Sequence, residues 1–427
     1  MLTGQSARGS RSGYHHGKAL PPKAARVTSR GDTVTIWLPD RTSAPPDTGF
    51  WKFLVPELVF GEGALSEAGY AARRLGARRV FVVTDPGLIE AGWPAALAAQ
   101  LGAAGLPYSC WSGVTPNPKD HEIAAGHEAY SASGCDVIVG IGGGSVIDAA
   151  KAIAVLSANG GQILDYAGVD QIDRPIPPLL MIPSTAGTGA DVSQFCVITD
   201  TTARRKEILV GRSLVPDISL TDPRLLTTMA PELAATTGLD ALTHGIEAYV
   251  SKAASGLTDL HALQAVRLVS QHLERLVDSR SDADARTAMA QASLSAGLAF
   301  TNAILGAAHA MAHQVGGALD LPHGTLNGIL LPHVIRFNAT CGRYREVAQA
   351  LGLDVTGMDT AEVAYRVADH VRAMADRLGV PRGLAELGVT EADFPGLVSG
   401  TLKDVCLSTN PREASAGDVT ALFAAAL

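Results

Sequence analysis

Asp136-Val137-Ile138-Val139-Gly140-Ile141-Gly142-Gly143-Gly144-Ser145 is the stretch on which the fold turns. Its first half is a short apolar run rich in β-branched residues, which reads as a buried strand. Its second half is a glycine loop, and the residues beyond it, through Val155, read as a helix. Strand, glycine loop and helix in that order begin a parallel β-α-β unit. Glycines let the backbone approach a phosphate closely, and a helix N-terminus offers free N–H groups and the positive end of a dipole. The alternative is a tight turn that needs positive φ. Ser145 stands where the third glycine of G-x-G-x-x-G would be, so the loop by itself leaves both readings open. Ser145 and Asp148 also read as an S-x-x-D capping pair.

The same grammar extends on both sides. Apolar strands are predicted over 79–84, 108–111 and 178–182, with helices over 88–101 and from about residue 119. Strands this apolar, alternating with helices, imply a parallel sheet covered on both faces. After about residue 223 the apolar residues recur at three and four, over 231–251, 257–277, 285–301, 307–319 and 360–378. That pattern predicts an all-helical domain. The expected division is a flexible basic arm over 1–47, an α/β nucleotide-binding domain over 48–226 and an all-α domain over 227–427. Residues 33–39 (TVTIWLP) form a candidate edge strand within the arm. The arm is read as inert, with contact to another copy as the alternative.

Composition agrees with two or three domains. The chain has 427 residues, 47% of them hydrophobic and only 5% aromatic, so aliphatic side chains must fill the core. The formal charge is −8, and it is unevenly spread: residues 1–47 carry seven bases and three acids, leaving −12 on the remainder. That acidic body argues against a nucleic-acid binder. Cys110, Cys135, Cys196, Cys341 and Cys406 contain no C-x-x-C, which argues against a disulfide framework or a thiolate zinc site. No apolar run approaches the roughly 18 residues of a membrane span. The N-terminus lacks an apolar h-region, and its Gly, Pro and His content sets it apart from a transit peptide. The expectation is a soluble, cytoplasmic protein.

Three further features carry chemistry. Pro183-Ser-Thr185-Ala-Gly-Thr188-Gly189 places two hydroxyls among glycines after the 178–182 strand, which suits a nucleotide. Asp85 ends the 79–84 strand, where a carboxylate can accept from a ribose 2′-OH and favour NAD over NADP; a plain Asp-Pro-Gly turn is the alternative. Asp240 and His244 are spaced i, i+4, as are His309 and His313, and His323 follows in a Leu-Pro-His-Gly turn. The i, i+4 spacing puts each pair on one helix face. Imidazoles with one carboxylate suit Fe²⁺ or Zn²⁺. His261, His272, His333 and His370 lack pairing and read as caps or core hydrogen-bonders. Gly126-His127-Glu128 lies in a predicted helix without accompanying cysteines, and His121-Glu122…His127 misses the H-E-x-x-H spacing.

Gly142-Gly-Gly-Ser-x-x-Asp148-x-x-Lys151, Ser184-Thr-Ala-Gly-Thr-Gly189, Gly238-x-Asp-Ala-x-Thr-His244-x-Ile-Glu247, His309-Ala-Met-Ala-His313 and Pro322-His-Gly324 occur in that order. Together they resemble the iron-containing (group III) alcohol dehydrogenases, from about residue 50 to the C-terminus. The resemblance implies an α/β nucleotide-binding domain, an all-helical metal-binding domain and an active site in the cleft between them. It implies Asp240, His244, His309 and His323 as metal ligands and His313 as a histidine near the reacting centre. It implies Asn117, Gly142, Gly143, Gly144, Ser145, Asp148, Thr185, Thr188 and Lys206 as cofactor-site positions, with Asp85 as the acidic residue favouring NAD. Phe300 and Cys406 resemble substrate-pocket positions of lactaldehyde reductase, a family member. Two departures stand out. Ala190-Asp191-Val192-Ser193 replaces a common Ser-Glu-Val-Thr, and Gln314 stands where Pro is common, leaving that backbone less constrained.

The expected activity is NAD-dependent hydride transfer between a small primary alcohol or aldehyde and NAD(H), with a divalent metal polarising the substrate oxygen and His313 relaying the proton. The runner-up keeps the fold as a zinc-dependent polyol dehydrogenase or a maleylacetate-reductase-like enzyme. The latter wants cations for two carboxylates, and none stands out near 309–323. A phosphonate-bearing aldehyde needs a cation such as Arg212 brought in by folding. A non-catalytic nucleotide-binding protein predicts a missing ligand, and all four are present. The resemblance also implies a homodimer or larger homo-oligomer.

Overall fold

The structure is a computed structural model, and it describes residues 24–29, 32–37 and 52–427. The chain divides into two units, Met1–Trp51 and Lys52–Leu427. In the first, Ala24–Ser29 and Asp32–Trp37 form an antiparallel ladder with Ser29 opposite Asp32. The expected edge strand is therefore found over 32–37, but its partner lies in a stretch expected to be flexible. Val27, Thr28, Thr33, Val34, Thr35 and Ile36 are β-branched, which favours pairing over a free arm. The rest of the expected arm lies outside the described residues.

In the second unit six parallel strands form the main sheet. Their order is Glu57–Phe60, Ile218–Thr221, Leu179–Pro183, Val137–Gly142, Val80–Val83 and Tyr108–Trp111. Every residue of Val80–Val83 and of Val137–Gly142 is buried, as their continuous apolar sequence requires. Each such Val or Ile side chain contributes about 1.5–3 kcal/mol over leaving it exposed. A second, three-stranded sheet of Gly168–Val169, Arg205–Val210 and Phe195–Asp200 was not expected. The predicted 88–101 helix is two helices, Pro86–Glu90 and Trp93–Ala103, parted where Gly92 takes φ 84°.

The helical part begins with Pro231–Val250 and continues through Gly256–Asp278, Ala283–Ala303, Ala307–Leu319 and His323–Phe337. The last sheet strand ends at Thr221, and a short helix, Pro223–Thr228, leads into the first of these. Pro231–Val250 is buried on every side from Thr237 onward, so its polar residues Asp240, Thr243, His244 and Glu247 are buried too. Buried polar groups on that scale need partners, and those partners define the site. Among the described residues no single helix is long and apolar enough to cross a membrane.

Candidate functional site

Three helices converge on Asp240. His309 Nε2 and His323 Nε2 each lie 3.7 Å from Asp240 Oδ1, and His244 Nδ1 lies 4.0 Å from Asp240 Oδ2. One ligand atom from each of Asp240, His244 and His309 falls within 4.8 Å of the others. His323 completes the group from the open side: its side chain is 25% exposed, against 1% for His309. The donor chemistry, three imidazoles and one carboxylate, fits a borderline divalent cation. Burial drives His244 down to about 4 and His323 well below its usual value, so both present lone pairs at neutral pH. Burial also opposes charge on Asp240, yet His244, His323 and His309 hold its carboxyl far below the carboxylate range. Burial opposes charge on His309 as well, but hydrogen bonds to Asp240 and Glu247 prevail and raise it to about 9.

Partners outside the expected set hold these groups. His309 Nδ1 donates to Glu247 Oε2 at 2.6 Å, leaving Nε2 toward Asp240. Asn327 Nδ2 lies 2.8 Å from Asp240 Oδ1 and 3.1 Å from the Nε2 atoms of both His309 and His323. His313 Nδ1 pairs with Asp404 Oδ2 at 2.9 Å, and the His313 ring stacks on that of His323. Gln314 Nε2 donates to the same Asp404 oxygen at 3.3 Å. Gln314 sits in the regular helix Ala307–Leu319, so it does not loosen the backbone as expected; it braces Asp404. Glu247 is i+3 from His244 and Asn327 i+4 from His323, spacings that mark both. Asp404 lies 91 residues from its partner and carries no such signal.

A cavity of about 150 Å³ unites most of the expected residues. The four proposed ligands and His313 line it, with Phe300 and Cys406 on its wall. Asn117, Gly144, Ser145, Asp148, Thr188 and Lys206 line it too. Gly144–Asn159 opens at Gly143 with no side-chain cap and no acid in its first turn, leaving its first N–H groups free for an anion. Lys206 Nζ donates to Asn117 Oδ1 at 2.7 Å, a cation beside that helix end. Burial lowers Lys206 to about 8 against the pull of Asp148, Asp320 and Asp240. These features fit a dinucleotide.

Some expectations are redrawn. Ser145 and Asp148 do not cap the helix: Ser145 Oγ accepts from the Asn117 N–H, and Asp148 Oδ2 accepts from the Val197 N–H. Nor do Gly142, Gly143 and Gly144 need positive φ. They permit close approach: a Cβ on Gly142 would lie 2.5 Å from Val146, and one on Gly144 2.8 Å from Thr188. Gly142, Gly143 and Thr185 lie outside the cavity lining, and Thr185 Oγ1 is buried without a partner. Asp85 is outside it as well, accepting from the Leu88 N–H at 2.9 Å as the N-cap of Pro86–Glu90. Arg212 does not line it. Asp191 and Ser193 are buried: Asp191 accepts from Ser219 Oγ, and Ser193 from Lys151 Nζ.

Residues 56–223 match the family model for iron-containing alcohol dehydrogenase, and residues 234–427 match that for the C-terminal part of the same family. The chain belongs to the iron-containing alcohol dehydrogenase family. It is thus an oxidoreductase acting on CH–OH groups. A 1,3-propanediol dehydrogenase of Klebsiella pneumoniae is 39% identical over 378 residues, 87% of this chain and 98% of that protein. An NAD-dependent methanol dehydrogenase of Bacillus methanolicus is 38% identical, over 88% and 99% of the two chains. Among solved structures, an alcohol dehydrogenase from Oenococcus oeni superposes with a TM-score of 0.86 at 34% identity, covering 88% of this chain and all of that one.

Proposed function

We propose that the enzyme interconverts short, largely apolar primary alcohols and their aldehydes with NAD(H) and iron. The observation that carries this is a single cavity holding the Asp240, His244, His309 and His323 cluster, the His313–Asp404 pair and the free helix end at Gly144. When bound, the metal supplies a Lewis acid for the substrate oxygen and the nicotinamide supplies or takes the hydride. The chain does the rest. Phe195, Ile208, Phe300 and Leu305 give the cavity an apolar wall, which suits a short aliphatic substrate. Among the described residues Lys206 is the only Lys or Arg in the lining, which disfavours dianionic substrates of the maleylacetate or phosphonate kind. Asp404 holds the His313 Nδ1–H, so Nε2 is free to take and return the alcohol proton. NADH oxidation over an aldehyde panel, after parallel loading with Fe²⁺ or Zn²⁺, tests this reading. Short aliphatic aldehydes should turn over fastest with iron; preference for a dicarboxylate, or turnover independent of metal, rejects it.

Lys206 gives the cofactor assignment a pH signature. Its charge is present below about pH 8 and is lost above it. NADH affinity, read by fluorescence titration, should fall about tenfold from pH 7 to 9.5, the size of one charge-assisted hydrogen bond. Lys206→Arg, charged throughout, should flatten the profile; a slope unchanged in that variant rules Lys206 out as its source.

Family likeness also supports a homo-oligomer, and the exposed Leu58 and Phe60 on the edge strand Glu57–Phe60 offer it a surface. Light scattering with and without residues 1–47 tests the oligomer and the arm's part in it. The two-domain division near residue 226 and a cytoplasmic location belong to the same proposal, the latter supported by five unpaired cysteines.

A further inference from the structure

His313, Asp404 and Cys406 form a second donor cluster beside the first. Each offers one ligand atom, a ring nitrogen, a carboxylate oxygen or a sulfur, and the three lie within 4.8 Å of one another. His313 and Cys406 are 5% and 1% exposed, and both line the cavity. None of the three belongs to the Asp240 group. In four-coordinate zinc, bonds of about 2.0 Å to nitrogen or oxygen and 2.3 Å to sulfur set neighbouring ligand atoms about 3.5 Å apart. To reach that geometry His313 Nδ1 and Asp404 Oδ2, now hydrogen-bonded at 2.9 Å, part by about half an ångström, and the Cys406 sulfur, within 4.8 Å of both, closes to about 3.5 Å.

We propose that His313, Asp404 and Cys406 form a second binding site, for a thiophilic divalent cation of the zinc or cadmium kind. The protonation balance is simple. The Cys406 thiol loses its proton to solvent as the metal–sulfur bond forms. The proton between His313 and Asp404 moves to the other ring nitrogen, so the imidazole stays neutral and one proton is released in all. Without a metal the thiol stays protonated, because burial and then the charges of Asp404 and Glu247 push it well above its usual range. A soft cation reverses that preference, since a coordinating thiol is deprotonated outright. The two clusters therefore sort metals by softness: the Asp240 group has no sulfur, and this one has. A cation held here engages His313 and narrows the cavity, so turnover stops while iron remains bound. The inhibition rests on the role given to His313 above; the binding does not.

Cadmium titration of the iron-loaded full-length enzyme tests this, with thiolate-to-cadmium absorption, NADH turnover and retained iron read together. The expected result is one saturating equivalent whose absorption and inhibition share a midpoint, with iron retained. Cys406→Ser should abolish that absorption and raise the inhibition midpoint at least about tenfold. Should that variant fold poorly, Asp404→Asn keeps an oxygen for the Cys406 N–H and should raise the midpoint by a similar factor, with the absorption retained. Absorption unaffected by Cys406→Ser, a wild-type enzyme with no such band, or inhibition that tracks iron release each overturns the site. A Cys406-dependent band with undiminished turnover supports the site and counts against His313 as the proton group.

Discussion

His323→Ala should yield a folded protein that retains little or no iron and has lost at least about a thousandfold in turnover. The magnitude follows from what the cation contributes: a Lewis acid supplies several kcal/mol to the transition state, and each 1.36 kcal/mol is tenfold in rate. His323 is the right ligand to remove because its role separates cleanly from packing. Its side chain is 25% exposed and stands at the first position of His323–Phe337, so truncation opens no deep cavity. His309, 1% exposed and bonded to Glu247, would take the helix start with it. Iron content after dialysis, measured with the far-UV circular dichroism, decides the matter. A variant that holds a full equivalent of iron and turns over normally removes His323 from the ligand set.

The two halves of this enzyme differ in how much their sequence discloses. Buried parallel strands such as Val137–Gly142 must be continuous apolar runs, so they stand out. Glu57–Phe60 and Arg205–Val210 lie in sheets with exposed faces or edges, and Glu57, Arg205 and Lys206 dilute their apolar signal. In the site, i, i+4 spacing marks Asp240 with His244 and His309 with His313, because residues on one helix face are three or four apart, while the choice of Asp240, His244, His309 and His323 as proposed ligands rests on the family resemblance. Their supports were less legible. Glu247 shares a helix face with His244 but serves His309, and only the folded chain brings it there. Asp404 reaches His313 across 91 residues of chain. Asp85 was as legible as the paired residues, and in the fold its Oδ1 caps a helix while Oδ2 keeps its acceptor capacity.

Glu247→Gln should weaken iron binding by about ten- to a hundredfold, the usual cost of losing an outer partner of a metal-bound histidine. One carboxylate here performs two tasks. Oε2 accepts from the Gly306 N–H at 3.1 Å and from the His309 ring at 2.6 Å, while Oε1 accepts from the Ala308 N–H at 2.7 Å. The helix Ala307–Leu319, which carries both His309 and His313, is thus seated by its N-terminal N–H groups on the residue that orients the His309 ring. The seat is tight, since a Cβ on Gly306 would lie 2.7 Å from Glu247 Oε1. Glutamine has one acceptor oxygen. Turned toward the ring, its NH₂ faces the Ala308 N–H; turned toward the helix, it faces the ring N–H. Either way a buried donor goes unpaired, which costs about 1–3 kcal/mol of stability. A purely structural cap would lower the melting temperature and leave the iron dissociation constant alone. The dual role requires both to move, with iron affinity, read by chelator competition, falling even well below the melting transition. Glu247→Ala should be worse on both counts, because it removes every acceptor at once.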